Sequence, residues 1–175
     1  MKKSEEIKKE IERLESKFAE DEAEVLSHLE EEGHVENENR FHDFWESRGK
    51  AIREKITQLD REYRKEVNRE LQVGDGVTLH LWTDREAYTV IARTKCTLTI
   101  QRDKATRDPS FKPEWVTGGF SAICLNDHEQ KWILERDPNG RIEVCHWSEK
   151  KGRWQTGEGQ IGVYAGRYEY YDYNF

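Results

Sequence analysis

The sequence predicts an α+β protein: an N-terminal antiparallel helical hairpin, coiled-coil-like, followed by a small antiparallel β-barrel or bent sheet of SH3-like size. Apolar residues recur at helical spacing before residue 72 and at every second position beyond it. All three prolines and ten of the twelve glycines also lie beyond residue 72, which concentrates turns there. We therefore assign residues 1–72 to a helical hairpin and residues 73–175 to a β domain.

The first helix is predicted from an apolar stripe, because its large residues recur every three or four positions. They are Ile7, Ile11, Leu14 and Phe18. Ser4 is suited to cap the start of this helix, and Gly33 is suited to end it.

The second helix carries a longer stripe that is interrupted at Arg48 and Gly49. Its apolar members are Phe41, Trp45, Ile52, Ile56, Leu59, Tyr63 and Val67. A connection as short as residues 32–35 favours an antiparallel hairpin. Such a hairpin buries only a narrow seam, so it should either dimerise or lie on the second domain. Of the two, we expect a homodimer.

Strands are predicted where apolar residues occupy alternate positions, a period of two. The clearest examples are residues 77–82, 96–101 and 142–147. Residues 103–117 contain two prolines and no alternation, and they therefore predict a long loop.

Composition restricts the class of protein. A chain of 175 residues and 20.8 kDa has room for one domain or two small ones. It has no apolar run long enough for a membrane span and no secretory signal, which predicts a cytoplasmic protein without membrane contact. Three cysteines, an odd number, fit a reducing compartment.

Metal ligation is not favoured by the cysteine and histidine spacing. Cys124 and His128 are four residues apart and Cys145 precedes His146 directly, but no CxxC pair is present. Cys96 and Cys124 are in phase with apolar neighbours on predicted strands, which is typical of thiols in a core. We expect no metal and no cofactor.

Catalytic motifs are also missing. Asp127 and His128 follow Ser121 closely, but no nucleophile elbow surrounds the serine. Gly118 and Gly119 form a pair and not a phosphate-binding loop. The sequence therefore predicts a protein that is not an enzyme, with no catalytic residue.

A segment without any Lys or Arg, residues 20–38, carries nine acids. It is either a solvated tip of the hairpin or an arm that occupies a basic groove on a host or defence-system protein. For the second interpretation the predicted partner-binding residues are Glu20, Asp21, Glu22, Glu24, Glu30, Glu31 and Glu32.

Basic and aromatic residues are mixed along residues 85–115. Cations bind phosphates and aromatic faces stack on unpaired bases, so an alternative function is nucleic-acid binding by the β domain. The residues proposed for it are Arg85, Arg93, Lys95, Arg102, Lys104 and Trp115. They equally suit a solvated outer face of a sheet, and a sequence pI near 5.5 opposes general attraction to DNA.

Two polar segments, residues 111–120 and 126–130, either line one ligand pocket or form ordinary turns.

Three segments of the second part, GDGVTLHLWTDREAYTVIARTKCTLTIQRDKA, FKPEWVTGGFSAICLND and YEYYDYNF, carry a resemblance over residues 73–175. There the chain resembles an uncharacterised family of small proteins encoded by phages and integrative elements of Gram-positive bacteria. The resemblance implies a cytoplasmic accessory protein in a bacterial host. Such accessory proteins act on host defence, replication or DNA transfer. Together with the acidic segment and the missing catalytic motifs, the resemblance favours an inhibitor of a bacterial defence system, an anti-CRISPR or similar anti-defence protein.

Overall fold

A computed structural model describes residues 2–32, 42–119, 121–157 and 161–174. The chain divides into two compact units, Met1–Val67 and Asn68–Phe175. It combines helices with a closed six-stranded antiparallel barrel. The predicted α+β class and the predicted small antiparallel barrel are therefore confirmed.

The first unit is helical. Helix α1 spans Lys3–Glu32 and has two acids, Glu5 and Glu6, in its first turn, where the helix dipole stabilises negative charge. Helix α2 spans Lys50–Glu70 and is preceded by a π-helical turn, Trp45–Gly49. None of the described helices is long and apolar enough to cross a membrane.

Side-chain contacts connect α1 with the second helical segment of this unit. The ammonium group of Lys3 lies 2.9 Å from a carboxylate oxygen of Glu66. The Phe18 ring packs edge-on against Trp45, with centroids 5.4 Å apart. The start of α1 thus contacts the end of α2, and the middle of α1 contacts the π-helical turn. Residues 33–41, which include most of the predicted hairpin connection, lie outside the described residues.

The π-helical turn coincides with the predicted interruption of the stripe at Arg48 and Gly49. A Cβ atom on Gly49 would lie 3.1 Å from Cε3 of Trp45 and 3.4 Å from Cε2 of Phe18. Glycine therefore allows both rings to pack directly on the backbone. The Arg53 guanidinium lies over the Trp45 ring, 3.9 Å from its centroid.

The barrel of the second unit is formed by six strands in the order β1, β10, β9, β8, β3, β2, and every neighbouring pair is antiparallel. The strands are β1 Gly76–His80, β2 Arg85–Arg93, β3 Thr97–Arg102, β8 Ile142–Ser148, β9 Arg153–Thr156 and β10 Ile161–Ala165. Alternate side chains of these strands face the interior. The buried core residues are Leu71, Val77, Leu79, Tyr88, Val90, Leu98, Ile100, Cys145, Trp154 and Val163.

The last residues of α2 belong to the barrel unit because their polar groups bind barrel side chains and backbone. The indole N–H of Trp154 donates to the backbone carbonyl of Asn68 over 2.7 Å. The Asn68 side-chain oxygen accepts from the N–H of Ala165 over 2.7 Å. Arg93 donates to the carbonyls of Arg69 and Leu71, which have no later helical turn to bind them.

The prediction of a loop over residues 103–117 is wrong in part, because one strand lies within it and a second strand begins there. They belong to two-stranded sheets outside the barrel: β4 Lys104–Arg107 pairs with β7 Trp132–Glu135, and β5 Trp115–Gly118 pairs with β6 Ser121–Cys124. Both β4 and β5 are short and largely exposed, so neither has the apolar alternation that marks a half-buried strand.

Strand β8 shows a second difference from its sequence pattern. Ile142 and Val144 lie on the outer face, 56% and 49% exposed. Cys145 is fully buried and Trp147 packs against the core. The apolar residues that alternate here are thus not the ones that build the core.

Candidate functional site

The predicted acidic arm lies on the second half of α1. Glu20 and Glu24 are exposed, and Asp21 and Glu22 are partly exposed. Among the described residues, no Lys or Arg forms an ion pair with any of these four carboxylates. The backbone of Glu30, Glu31 and Glu32 completes the helix. Their side chains, and Glu36 and Glu38 altogether, fall outside the described part of the chain.

The first half of α1 is different, because two of its acids are paired with cations. Glu10 binds Arg13 over 2.7 Å, and Glu12 lies 3.7 Å from Lys8. The hydrogen bond from Arg13 lowers the pKa of Glu10. In the second half, by contrast, none of Glu20, Asp21, Glu22 and Glu24 has such a partner among the described residues.

The six residues predicted for nucleic-acid binding are not brought to one surface. Arg85 and Arg93 stand at the two ends of the nine-residue strand β2, about 26 Å apart at about 3.3 Å per residue. Arg93 binds the carbonyls at the end of α2. Lys95 is exposed in the turn between β2 and β3.

The other three residues are also separated. Arg102 forms an ion pair with Glu169 over 2.6 Å and is largely buried. Lys104 lies in β4, 3.8 Å from Glu135. Trp115 lies in β5, 49% exposed, with its ring edge-on to Tyr173. Intramolecular partners thus occupy most of the predicted binding groups.

A partly buried charged network includes Arg102 and was not predicted from the sequence. Arg141 lies 2.8 Å from Glu86, and the Tyr88 hydroxyl donates to the same carboxylate over 3.1 Å. Burial raises the pKa of Tyr88 to about 12. Burial also raises the pKa of Glu169, against the hydrogen bonds it accepts from Arg102 and a backbone N–H.

A second buried carboxylate anchors the C-terminal tail. Asp103 is 3% exposed and accepts from Arg167 Nε over 2.6 Å and from the Thr89 hydroxyl over 2.9 Å. Asp103 and Arg167 are 64 residues apart, and Arg102 and Glu169 are 67 apart. No local sequence pattern links residues at such separations, so these pairs are visible only in the fold.

The two polar segments left open by the sequence line one cavity of about 530 Å³. Asn126 connects them: its side-chain oxygen accepts from the N–H of Glu114 over 2.8 Å, and its amide donates to the carbonyl of Lys112 over 3.1 Å. Lys112 and Lys131 face Glu114 and Glu129 around the cavity. Equal numbers of cations and anions favour no particular class of charged ligand.

The cysteines are placed differently from one another. Cys124 and Cys145 are buried, and burial raises the pKa of the Cys145 thiol to about 12. Cys96 is exposed in the turn before β3, so its predicted place in a core is wrong. Within the described residues, no group of three or more His, Cys, Asp or Glu side chains could hold a metal ion.

Asp127, considered above with Ser121 and His128, is bound by the C-terminal tail. Its carboxylate accepts from the Tyr170 hydroxyl over 2.9 Å and from the Asn174 amide over 3.2 Å.

No known protein family, curated protein or solved structure matches the chain. The resemblance to proteins of mobile elements therefore stays an expectation.

Proposed function

We propose that this protein is a non-enzymatic accessory protein of a phage or other mobile genetic element. It binds a macromolecular partner, a host or defence-system protein, and inhibits a bacterial defence system in the manner of an anti-CRISPR protein. The acidic segment of α1, defined by Glu20, Asp21, Glu22 and Glu24, occupies a basic groove on that partner.

The observation that carries this proposal is the missing countercharge. Glu20 and Glu24 are one helical turn apart, a spacing at which like charges destabilise a helix by a few tenths of a kcal/mol. No Lys or Arg among the described residues relieves this repulsion. Earlier in the same helix, Glu10 and Glu12 are paired with Arg13 and Lys8. A basic groove on a partner would relieve the repulsion. The acidic segment would reach that groove quickly, because opposite charges steer the encounter.

Charge reversal tests the acidic segment. We expect the double variant E20K/E24K to associate with the captured partner at least about tenfold more slowly than the natural chain, because electrostatic steering is lost. Tagged full-length protein is used to purify the partner from a host lysate, and association is then measured at low and high salt.

The control E12K/E15K makes the same charge change earlier in α1, where both side chains are also exposed. It should retain the natural rate. Equal association of E20K/E24K and E12K/E15K would contradict the proposal, and so would an association rate that does not fall with salt.

The helical unit is proposed to be an antiparallel hairpin that forms a homodimer. The contacts of Lys3 with Glu66 and of Phe18 with Trp45 support the hairpin, because the start of α1 then lies beside the end of α2, as in an antiparallel pair. Leu26 is 47% exposed on α1, and an apolar residue at such a position is well suited to a helix interface.

Light scattering on the full chain should then give twice the chain mass of 20.8 kDa at micromolar concentration. We expect Leu26→Lys to return the monomer mass, since a buried unpaired charge opposes association. Val73→Lys, at a 61% exposed position outside both helices, should remain dimeric. A monomeric natural chain would refute the homodimer.

A further inference from the structure

The outer face of the barrel at β1 and β10 carries aromatic rings that the core does not use. His80 lies in β1 and Tyr164 in β10, with ring centroids 4.3 Å apart. Trp82 follows two residues after His80 and is 91% exposed. An exposed tryptophan offers a large apolar surface to a ligand, and fold stability does not require it.

Gly162 allows these groups to lie flat on the sheet. It pairs with His80 in the neighbouring strand. A Cβ atom at Gly162 would lie 2.9 Å from the guanidinium carbon of Arg153 and 2.9 Å from Cε2 of Tyr164. Any other residue would therefore displace the ring or the guanidinium, which glycine leaves in contact with the backbone.

Two arginines place positive charge on this face. Arg153 donates to the Tyr164 hydroxyl, and its guanidinium lies 5.4 Å from the centre of that ring. Arg85 lies directly opposite His80 in the neighbouring strand β2. Among the described residues neither Arg153 nor Arg85 forms an ion pair, whereas Arg102, Arg141 and Arg167 of the same unit all do.

Arg85 also fixes the turn that carries Trp82. Its guanidinium donates to the carbonyls of Leu81, Thr83 and Asp84, over 3.3, 3.1 and 2.7 Å. The Asp84 carboxylate accepts from the backbone N–H of Asp172, which holds it to the C-terminal tail. The exposed indole is thus presented on an ordered turn, which reduces the entropy lost on binding.

We propose that the face formed by His80, Trp82, Tyr164, Arg153 and Arg85 binds single-stranded nucleic acid. Bases stack on Trp82 and on the His80–Tyr164 pair, and Arg153 binds a phosphate. This site lies outside the acidic segment of α1 and shares only Arg85 with the six residues predicted from the sequence.

Two classes of ligand, nucleic acids and proline-rich peptides, pack against such aromatic rings, and the charge of this face favours one of them. Proline-rich peptides also bind grooves lined with aromatic residues, but the unpaired cations here favour a polyanion. Burial and the nearby Arg85 and Arg153 lower the pKa of His80 to about 4. His80 is therefore neutral at pH 7 and contributes a stacking surface, and the arginines contribute the charge.

Fluorescence anisotropy of the full chain with a labelled oligothymidine at low salt tests the site. We expect binding that is stronger than to a duplex of equal length, because only unpaired bases can stack. Trp82→Ala should weaken binding about 5- to 150-fold. Arg153→Gln should reduce the slope of log affinity against log salt by about 0.7, the value for one phosphate contact.

Ile142→Ala is the control, because Ile142 is also an exposed apolar residue of the barrel, 56% exposed, but lies on β8. Its affinity should equal that of the natural chain. The proposal is overturned if the oligonucleotide does not bind, if Ile142→Ala loses as much affinity as Trp82→Ala, or if a proline-rich peptide binds through Trp82 instead. The E20K/E24K variant should bind the oligonucleotide undiminished, which separates this site from the protein-binding function proposed above.

Discussion

Replacing Trp154 by Ala will destabilise the barrel unit by about 3 to 5 kcal/mol, the usual cost of truncating a large buried aromatic residue. Trp154 is 2% exposed and packs edge-on against Trp147, with centroids 5.3 Å apart. The change leaves a cavity and also removes the hydrogen bond to the carbonyl of Asn68. Urea unfolding followed by circular dichroism measures the effect.

Trp82→Ala is the matched control for this prediction, because it removes the same side chain from a position that is 91% exposed. Its free energy of unfolding should change by less than about 0.5 kcal/mol. If Trp154→Ala does not fold, Trp154→Phe retains part of the ring volume and should still be clearly less stable than Trp82→Ala. Equal stabilities of the core and surface variants would contradict the described core.

Replacing Asp103 by Ala will cost about 2 to 4 kcal/mol. Breaking a buried ion pair typically costs about 3 to 5 kcal/mol, and the partial exposure of Arg167, 32% for its side chain, reduces that value. The substitution leaves the Arg167 guanidinium and the buried Thr89 hydroxyl without their acceptor. Hydrogen exchange should show faster exchange of the C-terminal tail, since Arg167 connects it to the barrel.

Lys104→Ala is the neighbouring control. Its ion pair with Glu135 is 3.8 Å long and both side chains are more than 60% exposed, a type of pair that contributes about 0 to 1 kcal/mol. If Asp103→Ala and Lys104→Ala had the same small effect, the buried carboxylate would have no anchoring role.

Helices and strands were predictable where a local pattern reflects burial. The stripe of Ile7, Ile11, Leu14 and Phe18 marks the less exposed side of α1. The alternation of Val77 and Leu79 marks the core side of β1. The interruption at Gly49 marks the π-helical turn. Each signal lies within a few residues, the range over which helical or strand periodicity operates.

The errors have a common cause. Strands β4 and β5 are held by hydrogen bonds to partner strands and bury little apolar surface, so their side chains need not alternate. On β8 both faces carry apolar residues, and only barrel closure decides that Cys145 faces the core while Val144 faces outwards. Pairing decides these cases, and for β4 and β8 it involves distant segments, β7 and β3.

For the candidate binding groups, too, some properties follow from the sequence and others only from the tertiary structure. The sequence by itself determined the charge of residues 20–38, the number of aromatic residues and the absence of known catalytic motifs, because these follow from composition and short spacing. Only the tertiary structure decided which arginine side chains lack an ionic partner and can therefore bind a ligand. Arg102 is neutralised by Glu169, 67 residues away, whereas Arg153 lies over Gly162 beside Tyr164 with no ionic partner among the described residues. Barrel closure brings such distant residues together, and a local pattern does not record that closure.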